Sequence, residues 1–154
     1  MATLGTLCFI EKEGKYLMQL KDDKKFGGGR WNAPGGKTKE NESVEQGVVR
    51  EILEETGLKI RNAKKRAVLN FFNGDEFAWA VHVFATKDFE GKVKSSEEGE
   101  LKWMDKGSLP YAQMWEDDRH WVPLVTEGKN FEANFHFKEN FKDIFKWSVK
   151  LVSA

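Results

Sequence analysis

The stretch 36–58, with the sequence GKTKENESVEQGVVREILEETGL, constrains this chain more than any other. It holds Glu51, Glu54 and Glu55 at positions i, i+3 and i+4, which share one face of a helix. Three carboxylates on one face repel one another, so a surface helix rarely accepts them without a cation. Because Mg²⁺ and Mn²⁺ prefer oxygen ligands, the cluster indicates a divalent-cation site. An ordinary charged helix face is the alternative if the triplet is taken alone.

The residues around the acids predict a helix over residues 43–56. At about 100° per residue, the acids occupy one arc, and the adjacent arc holds the apolar residues Val44, Val48 and Ile52, with Val49 and Leu53 beyond. One edge of the helix can therefore pack on a sheet. Arg50 lies four residues before Glu54 and can pair with it. Gly57 predicts the end of the helix, and the turn at residues 34–36 brings backbone close to a ligand.

The spacing of this stretch matches the Nudix box, G-x5-E-x7-R-E-U-x-E-E-x-G-U with U aliphatic, at every defined position. The chain thus resembles the Nudix hydrolases, which use a divalent metal to cleave a nucleoside diphosphate linked to another group. The resemblance implies an α/β fold, an α/β/α sandwich with a mixed β-sheet, in which the box forms loop–helix–loop. It implies a metal held by Glu51, Glu54, Glu55 and the carbonyl of Gly36. It also implies that Glu42 and Arg50 orient these ligands.

Three further segments extend the resemblance: FGGGRWN at 26–32, AVHVF at 80–84 and MWEDDRHWVPL at 114–124. They look like the MutT-type branch of the family that hydrolyses oxidised purine nucleoside triphosphates such as 8-oxo-dGTP. This resemblance implies substrate contacts from Thr6, Lys21, Phe26, Asn32, Phe72, Trp79, Trp115, Asp117, Asp118 and Trp121. For the aromatic residues among them the alternative is core packing, and Lys21 could simply be exposed.

The segment 115–118 suggests how a base could be read. An indole such as Trp115 can stack on a purine, and the carboxylates of Asp117 and Asp118 can accept hydrogen bonds from its N–H and amino groups. If both are buried close together, one pKa should rise, so the pair could read a Watson–Crick edge with one shared proton. The alternative is that Asp117 caps the next helix and Asp118 is solvated. Asn32 offers a donor and an acceptor to a base edge, or is a turn residue.

The box does not say which carboxylate takes the proton from the attacking water. Glu55 is the first candidate. Glu98, which matches an acidic residue in the corresponding loop of the family, is the second candidate for base or metal ligand; a solvated loop is its alternative. His82 is expected to be a satisfied structural histidine in a strand.

The chain departs from the oxidised-purine branch at several positions near the expected pocket. These are Ala33, Pro34, Asn70, Trp79, Ala80 and Gly99. The remodelled walls leave the preferred substrate open between an oxidised purine, a methylated purine, a general nucleoside triphosphate and a dinucleoside polyphosphate. A non-catalytic nucleotide-sensing domain is a further alternative, but it would be expected to lose box carboxylates that this chain retains.

Length and charge bound the remaining possibilities. A chain of 154 residues is expected to form a single domain, 1–154. Lysine plus arginine and aspartate plus glutamate both number 25, and this balance argues against a nonspecific grip on nucleic acid. Cys8 is the only cysteine and is expected to be buried. The sequence shows no basic leader and no apolar run near 18 residues. We therefore expect a cytoplasmic, monomeric protein without membrane contact.

Apolar patterning and turn residues predict the remaining elements. Strands are expected at 4–10, 16–20, 30–33, 66–72, 77–85, 101–104, 131–137 and 144–152. A second helix is expected from about 118 to 127, and residues 87–99 are expected to form a charged loop.

Overall fold

A computed structural model describes residues 3–21, 29–94, 99–138 and 143–153. The helices within these ranges are α1 (Val44–Thr56) and α2 (Asp118–Thr126), with a short 3₁₀ turn at Tyr111–Gln113. The strands are β1 (Thr3–Lys12), β2 (Lys15–Lys21), β3 (Trp31–Asn32), β4 (Lys59–Arg61), β5 (Lys64–Asn73), β6 (Glu76–Thr86), β7 (Asp88–Glu90), β8 (Gly99–Asp105), β9 (Asn130–Phe137) and β10 (Ile144–Val152).

A mixed sheet of eight strands organises the molecule. Its order is β10-β9-β5-β6-β1-β2-β3, and β8 pairs with β2 beside this path. The pairs β1–β6 and β5–β9 are parallel, whereas the other neighbours are antiparallel. The two remaining short strands, β4 and β7, pair with each other.

The two helices cover opposite faces of this sheet, as the alternation along β1 shows. Phe9 belongs to the core that contains Trp121 of α2. Its neighbour Cys8 belongs to the core that contains Val48 and Ile52 of α1. Since successive side chains of a strand point to opposite faces, α1 and α2 lie on either side of β1. The predicted α/β/α sandwich with a mixed sheet is confirmed.

Helix α1 has the ends that the sequence predicts. Ser43 and Gln46 form a reciprocal capping box, with Ser43 Oγ accepting from Gln46 N at 3.1 Å and Gln46 Oε1 accepting from Ser43 N at 2.9 Å. At the other end Gly57 takes the left-handed conformation with φ 82°, which favours glycine. The apolar face of α1 that packs on the sheet is narrower than expected, because Leu53 is half exposed.

Two short strands were absent from the expectations. Strand β7 lies inside the predicted loop 87–99, and it pairs Phe89 with Ile60 of β4. Each strand has three residues, mostly charged, so neither shows the alternation that identifies longer strands. Ile60 is buried, and this contact attaches the pair to the α1 side of the core. Cys8 is buried as predicted, and burial raises the pKa of its thiol far above the usual value.

Candidate active site

A cavity of about 540 Å³ lies between α2, the sheet and the turn before α1. It gathers predicted substrate residues that are far apart in sequence: Thr6, Lys21, Asn32, Trp79, Trp115, Asp117, Asp118 and Trp121. Gly35 and Gly36 also line it, so the predicted base pocket opens on the glycine turn of the box. Two predicted site residues, Phe26 and Glu98, lie outside the described residues.

Phe72 does not line this cavity, and its neighbour Phe71 does. Phe71 is buried in the core shared with α2. Phe72 points to the other face of β5 and stacks on His136 with ring centroids 4.3 Å apart. The prediction that Phe72 forms a pocket wall is therefore wrong by one residue. The alternation along β5, with Leu69 and Phe71 both buried, is the signal that could have identified Phe71.

The glycine turn holds two box carboxylates directly. Glu55 is buried, and its Oε2 accepts a hydrogen bond from the backbone N–H of Gly35 at 2.9 Å. Glu51 packs so closely on Gly36 that a Cβ added to this glycine would lie 2.3 Å from Glu51 Oε2. The two carboxylates therefore converge on successive glycines.

Thr6 of β1 holds the same turn through two hydrogen bonds. Its backbone N–H and its hydroxyl both donate to the carbonyl oxygen of Gly36, at 2.8 and 3.0 Å. The carbonyl that the family resemblance assigns to the metal therefore already accepts two hydrogen bonds. Its role as a ligand stays a prediction.

Arg50 ties the box acids together. Its Nε and Nη2 donate to the two oxygens of Glu42 at 2.9 and 2.6 Å. Its Nη1 donates to Glu51 Oε1 at 2.9 Å and to Glu54 Oε2 at 3.1 Å. The hydrogen bonds from Arg50, with one from Lys39 N, lower the pKa of Glu42 to about 2. One guanidinium thus holds three carboxylates in fixed orientation.

The oxygen donors around the turn fit a hard divalent cation. Arg50 uses only one oxygen each of Glu51 and Glu54, and Glu51 turns its other oxygen to Gly36. In the described part of the chain no three histidine, cysteine, aspartate or glutamate side chains are close enough together to hold a metal. A metal held by Glu51, Glu54 and Glu55 therefore stays a prediction, and Mg²⁺ or Mn²⁺ are the ions that such carboxylate oxygens would favour.

Asp117 and Asp118 form a buried acidic pair at the other side of the cavity. Asp117 Oδ2 accepts from the indole N–H of Trp121 at 2.8 Å, and Asp118 Oδ2 accepts from Trp115 N at 3.1 Å. Burial raises the pKa of both carboxyls, and the negative charge of Asp117 raises that of Asp118 further. A carboxyl with a raised pKa can remain protonated and donate a hydrogen bond.

The alternative roles for this pair are not met. Asp117 stands at the N-cap position of α2, but its side chain makes no capping hydrogen bond. Asp118 is buried rather than solvated. Trp121 is also buried, and its indole supports Asp117 while lining the cavity. The sharing of one proton between the two acids stays a prediction.

Asn32 of β3 and Trp115, which precedes α2, bring two further polar or aromatic groups to the cavity. Asn32 lines the cavity, and its Oδ1 accepts from the adjacent Ala33 N at 3.0 Å. The Arg30 guanidinium lies over the Trp115 ring, with Cζ 4.5 Å from the ring centroid. Trp79, which also lines the cavity, packs on Phe71 with ring centroids 5.5 Å apart.

His82 and Gln19 have buried polar atoms without hydrogen-bond partners among the described residues, which the sequence did not predict. His82 was expected to be satisfied, but its Nδ1 is buried and has no hydrogen-bond partner within the described ranges. Burial, followed by the charge of Lys65, lowers its pKa. Gln19 on β2 is fully buried, and neither atom of its amide has a partner there either.

None of the helices in the described ranges has the length and apolar character needed to cross a membrane.

The NUDIX domain family matches residues 1–125 of the chain. The oxidized purine nucleoside triphosphate hydrolase of Danio rerio is 37% identical over 136 residues, which cover 88% of this chain and 86% of that protein. The enzyme of the same name from Mus musculus is 34% identical over 98% of this chain and 96% of its own length. A MutT protein from Bacillus halodurans superposes with a TM-score of 0.85 at 26% identity, over 96% of this chain and 97% of that one. This chain belongs to the Nudix family.

Proposed function

We propose that this protein hydrolyses purine nucleoside triphosphates, including oxidised ones such as 8-oxo-dGTP, to the monophosphate and pyrophosphate. The observation that carries the proposal is one cavity that joins the buried pair Asp117 and Asp118 to the glycine turn that holds Glu51 and Glu55. A volume of about 540 Å³ falls in the ordinary range for small-molecule sites. The two vertebrate relatives bear names with this activity.

The base would bind at the acidic end of this cavity. A protonated carboxyl donates to a carbonyl oxygen such as purine O6, while an ionised neighbour accepts from ring N–H and amino groups. Trp115 offers an indole for stacking, and Asn32, which also lines the cavity, adds an amide. These groups favour a purine whose edge presents both a carbonyl and N–H donors, as guanine and 8-oxoguanine do.

The triphosphate would extend to the glycine turn. Mg²⁺ held by Glu51, Glu54 and Glu55 would neutralise phosphate charge and lower the pKa of a bound water. Arg50 keeps two of these carboxylates oriented. Glu55 is the first candidate to accept the proton from water, because it is buried at the turn and fixed by Gly35 N. Glu98 is the second candidate. Lys21 at the cavity wall can attract the phosphates.

Removal of oxidised purine nucleotides before polymerases use them would sanitise the nucleotide pool and so support DNA repair. We place this activity in the cytoplasm, with a monomeric protein, a small-molecule substrate and no stable nucleic-acid partner. A balanced charge of 25 basic and 25 acidic residues suits a site in which the metal supplies the local positive charge.

A steady-state substrate panel tests the proposal. The panel contains 8-oxo-dGTP, dGTP, 2-oxo-dATP, a methylated purine triphosphate and ADP-ribose, each with Mg²⁺, with Mn²⁺ and with chelator. We expect 8-oxo-dGTP to give the highest kcat/KM and pyrophosphate to be released. A preference for ADP-ribose would overturn the proposal. A preference for the methylated purine would retain the reaction and change the substrate.

Matched glutamine variants on one helix test the metal assignment. We expect Glu54→Gln and Glu55→Gln to lower kcat by orders of magnitude, while Glu45→Gln, at an exposed position of the first turn of α1, leaves it unchanged. Undiminished turnover in Glu54→Gln would contradict its role as a ligand. A non-catalytic nucleotide-sensing domain would bind the panel without turnover in any variant.

A further inference from the structure

We propose that Arg30 positions Trp115 and makes the base site select neutral over positively charged bases. The inference rests on the proposed function, because it concerns the base of the nucleotide that this cavity would hold. Arg30 is not among the residues that line the cavity, whereas Trp115 is.

The contact between the two side chains is a cation–π interaction. The Arg30 Cζ atom lies 4.5 Å from the centroid of the Trp115 ring, inside the range in which a guanidinium is attracted by an aromatic face. Both residues are half-buried, so water screens the interaction only in part. A planar guanidinium can also pack flat on an indole, which a lysine ammonium cannot do. Arg30 therefore restricts the orientation of the indole from the ring face that it covers.

The same contact connects the two segments that supply the base-facing groups. Arg30 is two residues before Asn32, and its carbonyl accepts from Lys21 N at 3.3 Å, which fixes it at the end of the β2–β3 hairpin. Trp115 N donates to Asp118. The Arg30–Trp115 contact thus ties the hairpin carrying Asn32 to the segment carrying the acidic pair. Loss of the contact should allow the two walls of the base site to move apart.

The charge of Arg30 adds a selectivity that packing alone would not. A base stacked on the indole face opposite Arg30 would lie roughly 8 Å from the guanidinium, since stacked aromatic groups are about 3.5 Å apart. Two positive charges at this separation repel enough to weaken binding on the order of tenfold. A neutral purine is not penalised. An N7-methylated guanine, whose imidazole ring is cationic at slightly acidic pH, would be.

Two Arg30 variants separate positioning from charge. We measure kcat and KM for GTP and for N7-methyl-GTP at slightly acidic pH, in the wild type, Arg30→Met, Arg30→Lys and the control Arg61→Met, whose arginine pairs with Asp88 on the separate β4–β7 pair. For Arg30→Met we expect KM for GTP to rise about tenfold with kcat within about twofold. We also expect the ratio of kcat/KM for the methylated to the neutral nucleotide to rise about tenfold. Arg30→Lys keeps the charge, so it should raise KM and leave that ratio near the wild-type value.

A structural role alone would lower kcat/KM for both nucleotides by the same factor, and an unchanged ratio in Arg30→Met would overturn the inference. If Arg30→Met does not fold, a Lys variant that matches the wild type in both KM values overturns the positioning role. Tryptophan fluorescence titration of both nucleotides without metal gives the ratio from binding alone. A wild type that binds but does not hydrolyse would refute the proposed function and leave this ratio as the test of Arg30, and a wild type that binds neither nucleotide would refute both.

Discussion

Replacing Gly36 by alanine should remove catalysis while leaving the fold intact. A Cβ at this position would meet Glu51 Oε2 at 2.3 Å and Cδ at 2.5 Å. The obstructing atoms are the end of a flexible side chain, and Gly36 does not have a positive φ, so the backbone can accept alanine. Glu51 must then retreat by about 1 Å to reach an ordinary contact distance. A displacement of this size at a catalytic group costs on the order of 10²-fold in rate.

Gly35 provides the matched contrast one residue away. A Cβ there would lie 1.9 Å from the carbonyl oxygen of Thr6 and 2.8 Å from Leu7 Cα. These are backbone atoms of the central strand β1, which cannot move aside. We therefore expect Gly35→Ala to lower the free energy of unfolding by about 3 kcal/mol or more, as overpacking in a rigid core does. Gly36→Ala should change it by about 1 kcal/mol or less.

Urea unfolding and kcat/KM, measured on the same preparations, check both expectations. A cycle with Glu51→Gln identifies the route: if Gly36→Ala acts through Glu51, it should add little loss in the Glu51→Gln background. Fully multiplicative losses would refute the reasoning, as would a Gly36→Ala enzyme with wild-type activity. A large fall in stability for Gly36→Ala would show that the clash is absorbed by the backbone.

Three further expectations follow from contacts in and around the cavity. Gln19→Met removes a fully buried amide without partners among the described residues. In urea titrations it should raise the free energy of unfolding by about 1–2 kcal/mol. A decrease would imply that the amide has a partner. The pKa of Asp118 is raised above its unfolded value, so the folded state binds more protons and wild-type stability falls as pH rises through the folded pKa. Asp118→Asn should reduce that fall and leave the part due to Asp117, whose pKa burial also raises, and an unchanged pH profile would contradict the burial argument. Arg50→Lys keeps the charge but loses the forked geometry of the guanidinium, so kcat/KM should drop at least tenfold. The pKa of Glu42, followed by NMR, should rise from about 2 toward its ordinary value. Wild-type kinetics would show that the forked geometry is dispensable.

Local patterns in the sequence were sufficient to predict the box helix. Ser43 and Gly57 bound it because a capping side chain and a left-handed glycine act on their own neighbours. The approach of Glu51 and Glu55 to the glycine turn also follows from spacing along one helix. The hydrogen bonds from Thr6 to Gly36 could not be predicted in this way, because they depend on how β1 passes beneath the turn.

The base pocket depends on contacts between distant segments, and the error at Phe72 occurred there. Phe71 and Phe72 are both apolar, so apolarity at these two positions does not decide which one faces α2, and the choice depends on the alternation with Leu69 and on the pairing of β5 with β6 and β9. A shift of one residue reverses the face. Asp117 fits an N-cap by position, yet its carboxylate is taken by Trp121 one turn later. At both Phe72 and Asp117, tertiary packing rather than local sequence preference determines where the side chain points.

The structure also suggests how the base site and the phosphate site influence each other. Thr6 lines the cavity and at the same time holds the carbonyl of Gly36. Gly35 N in turn fixes Glu55. A base that contacts Thr6 is therefore connected to Glu55 through the hydrogen bonds of two adjacent glycines, Gly36 and Gly35. A base too large for the cavity would displace Thr6 and with it the glycine turn, so such a base should reduce kcat as well as raise KM.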